Sequence, residues 1–276
     1  MTPPRLAQIH IFPVKSLAGI EVDHWPVNRR GLHLDRHWMI IDQNGRFLSQ
    51  RSLPQMALIK TNLDRERLTL STKGMPNLTI PFEPSQPETV QATIWDDECT
   101  AQRVGQAADT WLSTVLKQTC RLVYLPDENR RSVDQDYAER EDEVGFADGF
   151  PFLLIGSASL DELNRRLVAP GIEMRRFRPN LVVQTDTPHI EDQWRRITIG
   201  EIPFRLPKPC SRCAIPTVDP DTGIRDGGEP IKTLATYRKE NHKIYFGQNV
   251  LHDAVGALSV GEMVEVIETG IPQPSL

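Results

Sequence analysis

Short apolar runs, separated by Gly, Pro, Asn or charged clusters, dominate the first hundred or so residues of the chain. Runs of this kind read as strands. Residues 6–14 predict one that ends at Pro13-Val14-Lys15-Ser16. Residues 38–42 predict another, which enters Gln43-Asn44-Gly45-Arg46 and continues as Phe47-Leu48-Ser49. Asn-Gly between two such runs is the strongest short hairpin signal. Residues 57–63, 67–71 and 90–95 continue the pattern, and Pro81, Pro84 and Pro87 mark a loop.

The pattern changes at Gln106. Trp111, Leu112, Val115 and Leu116 share one face at the helical period, which predicts a helix over residues 106–118. A short strand comes next at 122–125. Residues 127–148 are crowded with charge, among them Arg130, Arg131, Arg140 and Glu143, and read as a solvated loop. A loop of that length also suits a lid or a rim over a site. Residues 152–156 form an apolar strand. Ser159-Leu160-Asp161-Glu162 reads as a capping box for a helix carrying Leu160, Leu163 and Leu167. Strands are expected at 180–184, 197–206 and 263–267. A short helix is expected after Pro230, ending in Arg238-Lys239. No internal repeat is visible. The sum is a mainly β chain with about three peripheral helices, unlike an alternating βαβ pattern.

Composition narrows the class without choosing a function. The chain has 276 residues, 25% charged and 39% hydrophobic, as expected of a soluble globular protein. Its formal net charge is −5, which gives no general case for nucleic acid or an anionic membrane as partner. No apolar signal region opens the chain and no run reaches transmembrane length. Four cysteines do not make a disulfide scaffold in a chain this size, so the cytoplasm is the expected compartment.

The chemistry concentrates in Lys208-Pro209-Cys210-Ser211-Arg212-Cys213, just before the turn Asp219-Pro220-Asp221-Thr222-Gly223. A thiolate attacks electrophiles and binds soft metals, and a fixed neighbouring cation favours it. The motif therefore points to redox, metal or sulfur-transfer chemistry. A thioredoxin-type pair would open a helix, whereas Pro216 and Pro220 interrupt the residues after Cys213. A structural zinc site would need two more ligands, and Cys99 and Cys120 form no second C-x-x-C. Two thiols packed as small apolar side chains are the bland alternative.

Four cations stand beside turns or strand ends: Lys15, Arg36, Arg178 and Arg212. In an acidic protein such cations suit an anionic small ligand, Arg as a planar fork for phosphate and Lys as a point charge. Taken alone, each reads more readily as a surface charge, and spacing does not bring them together.

Six segments together resemble one family: Phe12-Pro13-Val14-Lys15-Ser16, Gly31-Leu32-His33-Leu34-Asp35-Arg36, residues 146–152, Phe177-Arg178-Pro179-Asn180, the Cys210–Cys213 motif with residues 217–223, and Phe246-Gly247-Gln248-Asn249. In this order, across nearly the whole chain, they resemble MOSC-domain proteins with the matching N-terminal β-barrel domain. Among these they are similar to the YcbX-like proteins and the mitochondrial amidoxime-reducing components. The resemblance implies an N-terminal β-rich unit over residues 1–110, a MOSC β-barrel over 111–270 and a tail at 271–276, with a pocket between the two units.

The resemblance also implies a molybdenum cofactor, a pterin dithiolene with a phosphate tail. It implies that Cys213 is the catalytic residue and metal ligand. Lys15, Ser16, Arg36, Arg178, Asn180, Ser211 and Arg212 match positions that hold the pterin and its phosphate. Asp148 and Gly149 match a segment lining the same pocket. Asn249 departs from the Tyr of the mitochondrial proteins. The implied reaction is reduction of N-hydroxylated compounds, with two electrons and two protons giving amine or amidine and water. No cysteine cluster for an iron–sulfur centre and no flavin or nicotinamide fingerprint is present, so electrons are expected from a separate reductase or ferredoxin-type protein. Two other roles fit the same resemblance. One is a persulfide-bearing sulfur carrier, although molybdenum cofactor sulfurases join this domain to a pyridoxal-phosphate module that is not expected here. The other is a molybdenum cofactor carrier without catalysis.

Overall fold

A nine-stranded sheet forms the centre of the molecule, and its strand order explains how distant segments meet. Its path runs Val264–Thr269, Trp194–Ile199, Ile202–Ser211, Lys243–His252, Phe152–Gly156, Leu181–Gln184, Arg5–Ile11 and Ile20–Val22, with Lys239–Glu240 paired onto Lys243–His252. All pairings are antiparallel except that of Phe152–Gly156 with Leu181–Gln184. That parallel pair needs a crossover, and the helix Ser157–Arg166 supplies it. The sheet curls back on itself. Leu6 N donates to Glu262 O at 2.9 Å, Gly261 N donates to Leu6 O at 2.7 Å, and Arg5 bridges Met263. Leu6, Ile9, Ile11, Leu154, Leu181, Ile197 and Phe204 pack inside it, the alternate residues of each strand pointing inward. This is a computed structural model describing residues 3–271 apart from 87, 140, 169, 170 and 226. Pro87, Arg140 and the expected tail from 272 onward lie outside the described residues.

The second body of strands is built from the N-terminal part. Trp38–Ile41, Arg121–Tyr124, Asp97–Arg103 and Glu88–Ile94 form a four-stranded sheet. Lys60–Leu63, Arg67–Ser71 and Leu78–Pro81 form a three-stranded one. The helix Gln106–Leu116 seats Ala108, Trp111, Leu112 and Leu116 against Trp38, Leu68 and Leu122. Its periodic apolar face is the one that the sequence predicts. The two bodies are interleaved in sequence, because Arg5–Ile11 and Ile20–Val22 belong to the central sheet while residues 106–124 pack with the N-terminal sheets.

Several local expectations give way to neighbouring contacts. Ser159 lies inside its helix, which starts after Gly156, so the capping box does not form. Ser159 instead donates to the buried Glu191 Oε1 at 2.7 Å, and Gly156 N donates to the same oxygen at 3.0 Å. The expected strand at 197–206 is two strands, turned at Gly200, whose φ of +58° suits glycine. Pro54 opens a 3-10 helix, Pro54–Leu58, before the strand Lys60–Leu63. Asn44-Gly45 does turn the chain as expected, with Asn44 N donating to Asp42 Oδ1 at 2.8 Å, Ile41 bridging Phe47, and Asp42 N and Leu48 N donating across it to Arg46 O and Ile40 O, both at 2.8 Å. The charged segment at 127–148 is not simply solvated. Arg131 is 5% exposed and donates to the carbonyls of Gly145, Ala147 and Asp148, while Glu143 is 3% exposed and pairs with Arg30 and Arg130. Among the described residues no helix is long and apolar enough to cross a membrane.

Candidate functional site

The Cys210–Cys213 motif is delivered by the end of the strand Ile202–Ser211. The chain then breaks into the 3-10 helix Ile215–Thr217, with Pro216 in its first turn. Two ion pairs hold this turn against the 3-10 helix Met174–Phe177. Arg176 Nη2 donates to Asp219 Oδ2 at 2.6 Å, and Arg175 pairs with Asp221. Asp219 Oδ1 also accepts from Asp221 N and Thr222 N, both at 2.9 Å. The Asp-Pro-Asp-Thr-Gly turn therefore fixes the exit of the segment that carries both cysteines.

Lys15, Ser16, Arg36, Asp148, Gly149, Arg178, Asn180, Ser211, Arg212, Cys213 and Asn249 all line one cavity of about 580 Å³. Positions more than two hundred residues apart in sequence thus share a wall, because Arg5–Ile11 pairs with Leu181–Gln184 and Lys243–His252 lies beside both Ile202–Ser211 and Phe152–Gly156. Cys210 reaches the cavity too, but it also packs against the apolar cluster of Phe177 and Phe246 and accepts from Arg212 Nη1 at 3.2 Å. All four cysteines are free thiols.

Three of these residues hold strained backbone. Ser16, Arg36 and Arg178 have φ of +67°, +46° and +57°, the left-handed region that non-glycine residues seldom occupy. Buried Gln50 holds Ser16 by donating to its carbonyl at 2.8 Å. Arg36 Nη1 donates to Asp35 Oδ2 at 2.5 Å and to Asn180 Oδ1 at 2.9 Å, and Arg178 Nη1 donates to Leu17 O at 2.5 Å. Both guanidinium groups lie over the Phe12 ring, at 4.4 and 4.2 Å from its centre. That ring is admitted only because Gly19 lacks a side chain, since a Cβ there would fall 2.4 Å from it. Asn180 is 1% exposed, and its amide also accepts from Leu153 N and donates to His10 O. Its effect on a ligand therefore runs through Arg36.

The charge balance of the cavity is lopsided. Among the described residues lining it, seven are cationic (Lys15, Arg36, Arg51, Arg178, Lys208, Arg212 and Lys243) and Asp148 is the one carboxylate. Lys15 is 5% exposed and donates to Asp148 Oδ1 at 2.6 Å and to Phe146 O at 2.7 Å. Burial pushes its ammonium down to about 8 despite that carboxylate. Burial, then the neighbouring Arg36, push Arg178 down to about 9, so it stays charged at neutral pH at a real cost. Burial pushes the Asp148 carboxyl up, but Lys15 and Arg51 together outweigh it and hold the group well below the usual carboxylate range. Arg212 donates to Phe177 O at 2.7 Å, yet its buried Nε has no partner. A site with surplus cations and an orphaned guanidinium nitrogen is built for an anion.

The same donors fit a pterin-borne metal. Among the described residues no three His, Cys, Asp or Glu side chains gather as a metal site of their own. Cys213 stands in the cavity wall as a soft donor, beside a Cys210 that is partly packed into the apolar cluster. Such a donor set suits a metal that brings further sulfur ligands with it. Sequence reasoning missed Arg51, Trp95, His242 and Lys243, which line the same cavity, while Lys208, which opens the cysteine segment, lines it too. The four missed residues come from turns and a strand start outside the six segments, so no local pattern announced them.

This barrel, with a cation-lined cavity where it meets the N-terminal sheets, defines a MOSC-domain protein. The MOSC N-terminal beta barrel domain family matches residues 3–119 and the MOSC domain family matches residues 141–265. The chain is 34% identical to mouse mitochondrial amidoxime-reducing component 1 over 279 residues, 95% of this chain and 82% of that protein. It is 33% identical to the human protein of the same name, with the same coverage. It is also 33% identical to molybdenum cofactor sulfurase 3 of Aedes aegypti, covering 90% of this chain but 34% of that protein. The chain belongs to the family of MOSC-domain proteins with an N-terminal barrel, together with the amidoxime-reducing components.

Proposed function

We propose that the protein is a molybdenum-cofactor-dependent reductase of N-hydroxylated compounds that receives its electrons from a separate redox protein. The observation that carries this reading is the convergence of Cys213 with Lys15, Arg36, Arg178 and Arg212 on one cavity with an excess of positive charge. It is supported by identity to amidoxime-reducing components across 95% of the chain. When bound, the cofactor supplies two-electron chemistry that takes the oxygen from an N–O bond, and the protein's part is to bind, orient and tune it.

In this reading Cys213 gives the metal one thiolate. Arg36, Arg178 and Arg212 grip the anionic tail with fixed forks, and Lys15 adds a point charge. Asp35 and Asn180 keep the Arg36 fork aimed, since both accept from its Nη1. Asp148 keeps Lys15 charged and places it, and Ser211, Gly149 and Asn249 complete the wall. A reducing compartment such as the cytoplasm would keep the Cys213 thiol available.

The test is to make the protein in a host competent for molybdenum cofactor synthesis and measure metal, pterin and turnover. The expected result is molybdenum and pterin near one per chain, with benzamidoxime reduced when a viologen supplies electrons. Molybdenum without turnover would mark a carrier. Labile sulfur without metal would mark a sulfur carrier, the role suggested by the sulfurases among the relatives.

A further inference from the structure

Trp95 has a backbone conformation that its side chain does not favour. It is the first residue of the two-residue turn between Glu88–Ile94 and Asp97–Arg103, whose ends pair as Ile94 with Asp97. Its φ is +56°. Hairpin turns give that position to Gly or Asn, because a bulky L-residue is crowded there. Packing does not explain the residue either, since 43% of it is exposed, in the wall of the cavity. Yet the ring is held firmly. The Arg51 guanidinium lies over it at 4.3 Å, and Phe47 meets it at 5.1 Å with the rings inclined by 63°. Arg51 is in turn anchored by Asp148 Oδ2 at 3.0 Å, the carboxylate that also holds Lys15. A strained, exposed and braced aromatic in a ligand cavity is a preorganised surface.

We propose that Trp95, braced by Arg51, is the platform on which a flat ring of the substrate stacks, so that the protein selects N-hydroxylated compounds carrying an aromatic or heteroaromatic group over aliphatic ones. This rests on the reductase reading above. Stacking covers the exposed indole, and the ring is already fixed by Arg51 and Phe47, so little conformational freedom is lost on binding.

Trp95→Gly and Trp95→Phe test it. Gly suits the positive φ, so Trp95→Gly removes the platform while relieving the turn. Cofactor-loaded wild type and both variants are titrated calorimetrically, without reductant, with benzamidoxime and with acetamidoxime. Trp95→Gly is expected to weaken benzamidoxime binding roughly five- to tenfold while acetamidoxime binding stays the same. Trp95→Phe should recover most of the loss. With reductant, KM for benzamidoxime should rise by the same factor at constant kcat, and the thermal midpoint of Trp95→Gly should hold or rise. Equal losses for both compounds, or none for either, would overturn the platform. The titration needs no turnover, so an inactive but benzamidoxime-binding wild type would count against the reductase reading and leave the platform standing.

Discussion

Cys210 and Cys213 are three residues apart, and the fold gives them different surroundings. Cys210 packs into an apolar cluster and accepts from Arg212, whereas Cys213 has no such packing and lines the cavity. Cys213→Ser is therefore expected to abolish N-hydroxylated substrate reduction and strip the metal, while Cys210→Ala keeps substantial activity. Turnover assays paired with metal analysis check both, and full activity in Cys213→Ser would reverse the assignment. Lys15 makes a second expectation, through pH. Its folded pKa of about 8 lies below its ordinary 10.5. Below about pH 8 it is charged whether the chain is folded or unfolded, and folding carries the whole cost of burying that charge. Between the two values the folded chain gives up a proton that the unfolded chain keeps, so this group's contribution to stability rises with pH. An anionic ligand needs the charged form. Cofactor retention should therefore be full below pH 8 and fall as pH climbs beyond it, by up to about tenfold in affinity per unit from this group. Pterin retained after dialysis at pH 7 and at pH 9.5 measures this, and Lys15→Arg should flatten the difference. Equal retention by the wild type at both values would remove Lys15 from the site.

At the scale of elements, the helix Ser157–Arg166 depends on a residue far along the chain. Glu191 is fully buried and burial pushes its carboxyl up, with Ser159 and the Gly156 amide opposing that shift. Ser159→Ala removes one of the donors that make this buried group tolerable. It is expected to cost about 1–3 kcal/mol in a denaturant titration, against under about 0.5 kcal/mol for Asp161→Ala on the exposed face. Ser159 also shows what sequence reasoning could and could not read. The spacing of Ser159 and Glu162 fits a capping box, and only the tertiary contact with Glu191 reveals that Ser159 serves another purpose. The helix Gln106–Leu116 was legible because one apolar stripe settles its burial. The strands Trp194–Ile199 and Ile202–Ser211 merged into one expected run because Gly200 is a single residue between similar apolar segments. In the cavity, the six family segments pointed to four of the seven lining cations, Lys15, Arg36, Arg178 and Arg212, and to Cys213. Arg51, Trp95 and Lys243 were illegible because tertiary structure alone brings them to the wall.

At the scale of the molecule, the cavity exists only because the chain crosses between its two bodies. Lys15, Ser16 and Arg36 arrive from the N-terminal part, and Arg178, Arg212 and Cys213 from the C-terminal part. The strand Arg5–Ile11 is also structural to the central sheet. It lies between Ile20–Val22 and Leu181–Gln184 and buries Leu6, Ile9 and Ile11 completely. Removing residues 1–100 therefore does more than delete the five cavity-lining residues Lys15, Ser16, Arg36, Arg51 and Trp95. It opens the closed sheet at Leu181–Gln184, exposes an unpaired edge and uncovers the apolar interior formed with Leu154 and Phe204. Each large side chain taken from such a core costs about 2–5 kcal/mol, and three are lost from this strand alone, against a total stability of about 5–15 kcal/mol for a domain. The truncated chain is expected to lose its near-ultraviolet circular dichroism, to bind a hydrophobic dye and to carry no pterin, even when made where the cofactor is abundant. A fragment from residue 101 onward that unfolds cooperatively and retains pterin would show that the C-terminal body builds its own cavity. Supplying residues 1–100 as a separate chain should restore pterin binding only if that chain also restores the Arg5–Ile11 pairing. Pro substitution at Ile9, which removes a sheet donor from the middle of that strand, should therefore abolish the rescue while leaving Lys15, Ser16 and Arg36 in place.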